Sequence, residues 1–366
     1  MWRATEYIIV ALLAGIALPA RPGPALPAHF DAAGTAFFRQ TNGWEAGDGA
    51  TSVPLSGGRA LWLFGDSFID QLDPATGTTP CLFDARNAVT VQNAKDPQHP
   101  VTLRPTDGGR SFFRPPEAPV GEPWPCFWPG AGFQRGDTIW ISLMEIQQTP
   151  EGGMWGFRNV REYWGEMNAS DLKSVKYIKI PGLNGIPFLS GFVADEAGGC
   201  VYGFGNRRRA TESDVLVARF PLADPTAPWS FWDGRGWDAN ATNAAPVTRA
   251  SSTSVCVCRV NNKFLLFSTE FSVACDQGRR IYLSTSDSPT GPFSPPQTIY
   301  TIDDAVSGHH PFFYLANAHP ESVNAENELL ITYCINGYEP CVPTCVNRRA
   351  NPDYYRPRAI RLPLPR

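Results

Sequence analysis

The chain has 366 residues, a formal net charge of −4, 43% hydrophobic residues and only 18% charged ones. The apolar fraction supports a substantial core and excludes general disorder. The one compact basic run, Arg207-Arg208-Arg209, is too short for a nucleic-acid tract. The 35 prolines and 33 glycines make up nearly a fifth of the chain, against about 12% in an ordinary globular protein, which favours many short strands joined by tight turns.

Residues 1–28 read as a signal peptide or N-terminal anchor. Arg3 precedes an apolar run from Tyr7 to Leu18, followed by small and Pro-rich residues through Ala28. The run is shorter than a standard membrane span, and no later stretch is apolar enough to be one. The expectation is therefore a secreted or extracytoplasmic protein, with residues 29–366 forming one domain.

The first predicted hairpin carries the strongest functional signal. Gly47-Asp48-Gly49-Ala50-Thr51-Ser52-Val53-Pro54-Leu55 leads into Ser56-Gly57-Gly58, then Arg59-Ala60-Leu61-Trp62-Leu63-Phe64-Gly65-Asp66-Ser67-Phe68. Paired glycines accept the positive φ of a reversal. With the turn centred on Gly57, Asp48 and Asp66 fall opposite each other. A two-residue turn at Gly57-Gly58 would instead pair Asp66 with Gly49 and send the two acids to opposite faces. Like charges opposed across strands destabilise the pair, so a hairpin that keeps them invites a functional reading.

Similar units recur along the chain. The second begins at Cys126-Phe127-Trp128-Pro129-Gly130 and contains Thr138 to Met144. The third runs from Ser190 through a Gly198-Gly199 turn to Phe220. The fourth holds Ser254 to Val260, an Asn261-Asn262 turn, Phe264 to Ser268 and Ile281 to Ser286. The fifth has Ala318 to Ser322, then Glu328 to Tyr333, and closes with Arg358 to Leu362. In each unit a strand of small or polar residues precedes an apolar, aromatic one. Val160 to Leu172 is the one stretch whose spacing leaves strand and helix open.

Repetition of small sheets around an axis predicts an all-β, five-bladed β-propeller, with a two-sheet sandwich as the alternative. The slim first strands would line a channel and bring distant residues together. Asp48 and Asp66 are the candidate catalytic carboxyls, because glycoside hydrolysis needs one protonated acid and one ionised nucleophile or base. Mutual repulsion of two carboxyls separates their pKa values. Glu270 is a possible third acid, unless it is a solvated strand end. His319 is a possible orienting group, or else a packing histidine. Trp44, Trp128 and Trp155 could stack on sugar rings or belong to blade cores. Asn87, Asn206 and Arg207 complete the candidate substrate-binding set.

Nine cysteines are many for a cytosolic enzyme. Cys334, Cys341 and Cys345 cluster around a Pro-rich loop and are candidates for a local disulfide. No Cys-x2-Cys pair occurs, and the five histidines lie apart except His309-His310. No metal and no cofactor are expected. The partner expected is a neutral polysaccharide or oligosaccharide, met by a monomer with no nucleic-acid role and no membrane contact beyond the N-terminal segment.

The two Gly-Asp motifs of the hairpin resemble the opening signature of secreted five-bladed propellers formerly of unknown function and linked to endo-D-arabinanase activity. Phe127-Trp128-Pro129-Gly130, Tyr314-Leu315-Ala316-Asn317-Ala318-His319-Pro320-Glu321 and Tyr355-Arg356-Pro357-Arg358 extend the likeness to nearly the whole mature chain. The resemblance implies hydrolysis of arabinofuranosyl linkages with Asp48 and Asp66 as the catalytic pair. A looser likeness to furanosidase propellers with three acidic positions would take Asp48 as the first and Glu270 as a later one. A non-catalytic carbohydrate-binding or cell-surface propeller is the alternative reading.

Overall fold

Short runs of β-branched and aromatic residues, each ended by a turn, pair chiefly with their neighbours in sequence and so build small antiparallel sheets. The computed structural model describes residues 27–153, 156–337, 342 and 344–365. The proposed targeting segment lies almost wholly outside them, as do Trp155 and Cys341. The described chain is an all-β, five-bladed β-propeller.

Blade 1 comprises Thr51–Leu55, Arg59–Phe64, Ala88–Asn93 and Asp96–Thr102, and blade 2 Cys126–Arg135, Thr138–Gln148, Phe157–Asn168 and Val175–Lys179. Blade 3 is built on Gly191–Asp195, Cys200–Arg208, Ser213–Pro221 and Ser230–Trp232, and blade 4 on Val255–Val260, Lys263–Thr269, Arg280–Ser286 and Gln297–Thr301. Blade 5 holds Phe312–His319, Glu328–Asn336 and Arg358–Pro363. Its outermost strand is His29–Phe30, with His29 opposite Arg361. The start of the described chain thus completes the last sheet and closes the ring.

Two local expectations change. The inner strand of blade 5 starts earlier than the predicted Ala318, and Pro320–Ser322 is a 3-10 turn rather than strand. The ambiguous stretch Val160 to Leu172 is strand as far as Asn168, within Phe157–Asn168, and turn beyond it. A register shift opposite Glu145 and Ile146 skips Val160, and this bulge breaks the alternation that would have marked a strand.

Among the described residues five apolar clusters form the core, one between each neighbouring pair of blades. Val53, Leu61, Phe127 and Ile141 join blades 1 and 2, while Trp164, Leu216 and Trp229 join blades 2 and 3. Phe204, Val215 and Leu266 join blades 3 and 4, and Phe267, Ile331 and Ile360 join blades 4 and 5. The last cluster seals the ring with Phe38, Trp44, Trp62 and Leu330. Its phenylalanines come from the short helix Ala32–Phe37 and its C-cap, whose N-cap Asp31 accepts from Gly34. Burying the apolar faces between blades leaves the inner-strand ends free to carry polar groups.

The disulfide expectation also changes. Cys345 pairs with Cys81, 264 residues away, and Cys334 is a buried free thiol. Ring closure brings blade 1 loops beside blade 5 loops, so the nearest thiol in space is distant in sequence.

Candidate active site

The blade 1 hairpin takes the register centred on Gly57. Leu55 faces Arg59 and Thr51 faces Leu63, with Gly57 and Gly58 at φ +74° and +68°. The register continues beyond the blade, where Gly47 faces Ser67. Asp48 N–H donates to Asp66 O at 3.3 Å, and Gly65 N–H donates to Asp48 O at 2.8 Å. The two aspartates therefore oppose each other at one end of the channel.

Their partners differ. Asp48 Oδ2 accepts from the Tyr314 hydroxyl at 2.8 Å, and the Tyr355 hydroxyl also bonds this carboxyl. Both tyrosines are held protonated, their pKa values well above the usual range through burial and the nearby Asp48 charge. They are permanent donors, which favour the anion at Asp48. Burial nevertheless pushes the Asp48 pKa above its ordinary value. Asp66 lies 3.3 Å from Arg86 Nη1 through both carboxyl oxygens and accepts from Trp128 Nε1 at 3.4 Å. Burial, and then the Asp48 charge, push Asp66 up to about 7, while Arg86 and Trp128 oppose the rise. A carboxyl that titrates near neutrality beside one held by two hydroxyl donors can divide proton donation from nucleophilic or base work.

Several sequence-predicted residues serve other purposes. Trp44 is 1% exposed, stacks on Phe64 at 3.9 Å and donates to Ser67 Oγ. It is core and offers no face to a sugar. Asn87 is fully buried: its amide donates to Phe113 O and Phe127 O and accepts from Phe113 N–H. It staples the loop around Phe113 to the second blade instead of lining the cleft. His319 is buried between Ser52 Oγ at 2.6 Å and Thr332 Oγ1 at 2.9 Å, so both ring nitrogens are engaged away from Asp66. Glu270 forms an ion pair with Arg280 at 2.7 Å. Asn206 is spent on Thr253 O and Ser213 Oγ, and Arg207 on Ala244 O. Of the predicted tryptophans among the described residues, Trp128 joins the pair, its ring 4.8 Å from Phe157.

Tyr314, Tyr355 and Arg86 were missed as site residues. The tyrosines stand in the chain among the motifs quoted for blade 5, but only ring closure brings them to blade 1. A depression of about 560 Å3 lined by Arg135, Thr138, Trp140 and Glu196 lies at the other end of the blade 2 strands and holds no opposed carboxyls.

In fold the chain is similar to a provisionally assigned hydrolase from Bacteroides ovatus, at TM-score 0.73 and 20% identity over 94% of this chain and 92% of that one. An inulosucrase from Halalkalicoccus jeotgali, bound to kestose, matches at TM-score 0.50 and 14% identity over 94% and 90% of the two chains. These likenesses carry the fold. No curated protein matches the sequence. The sequence profile of one family covers residues 31–363, and the chain belongs to that family, described as Domain of unknown function (DUF5005).

Proposed function

We propose that the protein is a secreted, monomeric glycoside hydrolase that cleaves arabinofuranosyl linkages, with α-D-arabinan as the leading substrate. The observation that carries the reading is the opposition of Asp48 and Asp66 with unlike partners. Asp66, raised to about 7, is the general acid that protonates the leaving oxygen. Asp48, held by Tyr314 and Tyr355, is the nucleophile at the anomeric carbon. In the second half-reaction Asp66 takes a proton from water as that water displaces Asp48. The sugar assignment leans on the likeness of the Gly-Asp motifs to arabinan-cleaving propellers. The mild net charge of −4 suits a neutral polymer, and the structural neighbours include an inulosucrase.

The test is reducing-end release from D-arabinan, L-arabinan and fructans by the wild type, Asp48→Asn and Asp66→Asn. Release from one polymer, lowered about 10²–10⁴-fold by either substitution, is the expected result. Oligosaccharide binding without release, from folded wild type and variants alike, would replace the enzyme with a carbohydrate-binding propeller.

A further inference from the structure

We propose that Phe83, anchored by the Cys81–Cys345 disulfide, is a positioning residue for both carboxylates: it braces Tyr355 over Asp48 and Arg86 against Asp66. The proposal rests on the reading of those aspartates as the catalytic pair.

The loop between Asp70 and Arg86 is fastened to the loop that precedes the last strand of blade 5. Cys81 and Cys345 are bonded, and Thr79–Pro80 pairs with Arg349–Ala350. Arg349 Nε donates to Thr78 Oγ1 at 3.0 Å, and its Nη2 donates to Thr78 O. Two residues after Cys81, the Phe83 ring stacks on Tyr355, with centroids 6.1 Å apart and planes within 14°. Phe68, two residues after Asp66, meets both rings edge-on at 6.2 and 6.3 Å. The Arg86 guanidinium lies 5.1 Å from the Phe83 ring centre and 4.1 Å from that of Trp124. One ring therefore touches the donor to Asp48 and the cation beside Asp66.

Neither Tyr355 nor Arg86 is fixed by its polar contact alone. A tyrosine turns about its χ angles and a guanidinium about a long stem, and both need packing to hold a hydroxyl or a charge in place. Displacement on the ångström scale costs about 10²-fold in rate. The ring cluster supplies the packing, and the cross-link keeps the loop that carries it from drifting.

The decisive measurement is a carboxyl titration by NMR on aspartate-labelled protein, in the wild type, Phe83→Leu, Phe83→Tyr and Cys81→Ser/Cys345→Ser. Asp48 is faced by Asp66, Tyr314, Tyr355 and Cys334, and Asp66 by Asp48, Arg86, Tyr355 and Cys126. Tyr355 and Arg86 both favour the anion beside them. Loosening them raises both titrations, by at least about half a unit in Phe83→Leu. Phe83→Tyr restores the wild-type values, and the double serine variant shows a smaller rise of the same sign. Unchanged titrations in folded Phe83→Leu overturn the positioning role. An unchanged double serine variant overturns the part assigned to the disulfide, and if Phe83→Leu does not fold, Phe83→Met is read in its place by the same criterion. On a cleaved polymer, Phe83→Leu lowers kcat about 10- to 100-fold with KM within about twofold. A wild type inactive on every polymer defeats the hydrolase reading and leaves the titrations to judge Phe83.

Discussion

The Asp48 carboxylate lies over the α-carbon of Gly65, and a Cβ at that position would overlap Asp48 Oδ1. The glycine before the second acid is therefore the floor on which the first acid rests. Gly65→Ala should push Asp48 off Tyr314 while removing no titratable group. Stability should fall by about 1–3 kcal/mol, the usual cost of overpacking. Turnover should fall about 10²-fold if Asp48 is the nucleophile, as proposed, because it is displaced. A variant that is destabilised but fully active would show that the position of Asp48 is not critical.

The proton on Asp66 gives two linked expectations for pH. On the proposed mechanism Asp66 is the general acid and must be protonated, so kcat should decline as pH rises through about 7. The folded chain also binds this proton more tightly than the unfolded chain, in which Asp titrates near 3.9. The contribution to stability is then complete below about pH 4 and is lost as pH rises through the folded value of about 7. Asp66→Asn removes that loss. It should be more stable than the wild type, by a margin that grows between pH 4 and 8, while turnover collapses. Denaturant titrations at both pH values test this, and a margin that shrinks with rising pH would refute it.

The legible part of the site was the part written locally. Three turn residues fix the register that opposes Asp48 to Asp66, and the order of slim and aromatic strands marks the blades. What could not be read depends on ring closure. Tyr314 is 266 residues from Asp48, and Cys345 is 264 from Cys81, so no spacing rule connects them. Trp44 illustrates a different failure. A tryptophan near a catalytic acid reads the same whether it faces a sugar or a core. Here Phe38, the C-cap of a six-residue helix that has no long periodic pattern, packs against it at 6.2 Å.

His319 yields a prediction of opposite sign to Asp66. Burial drives its pKa down to about 3, so it is neutral in the folded chain. Its ring packs 4.7 Å from Trp62, between Ser52 and Thr332, and Ser52 also bonds Glu321. The unfolded chain binds a proton near 6.5 that the folded chain refuses until about 3. Stability from this group is therefore present above 6.5 and lost as pH falls towards 3. His319→Leu should cost about 1–3 kcal/mol at pH 7, because Ser52 and Thr332 lose a buried partner. The cost should shrink on acidification. A constant difference between pH 7 and pH 4 would count against a neutral, buried imidazole.

The register of the hairpin also bears on stereochemistry. Retaining glycosidases hold their carboxyls about 5–5.5 Å apart, and inverting ones about 6.5–9.5 Å, to admit a water. Asp48 and Asp66 are joined by Asp48 N–H to Asp66 O at 3.3 Å, and the Asp48 charge lies near enough to help raise the Asp66 pKa. Tyr314 and Tyr355 occupy the Asp48 side, so this carboxyl is solvated by hydroxyls that cannot leave. Both features favour direct attack by Asp48 over activation of an intervening water. The first product seen by proton NMR during cleavage should therefore keep the anomeric configuration of the polymer, and a mechanism-based label should be found on Asp48. Immediate appearance of the opposite anomer would make Asp48 a general base and move the two carboxyls into the wider class.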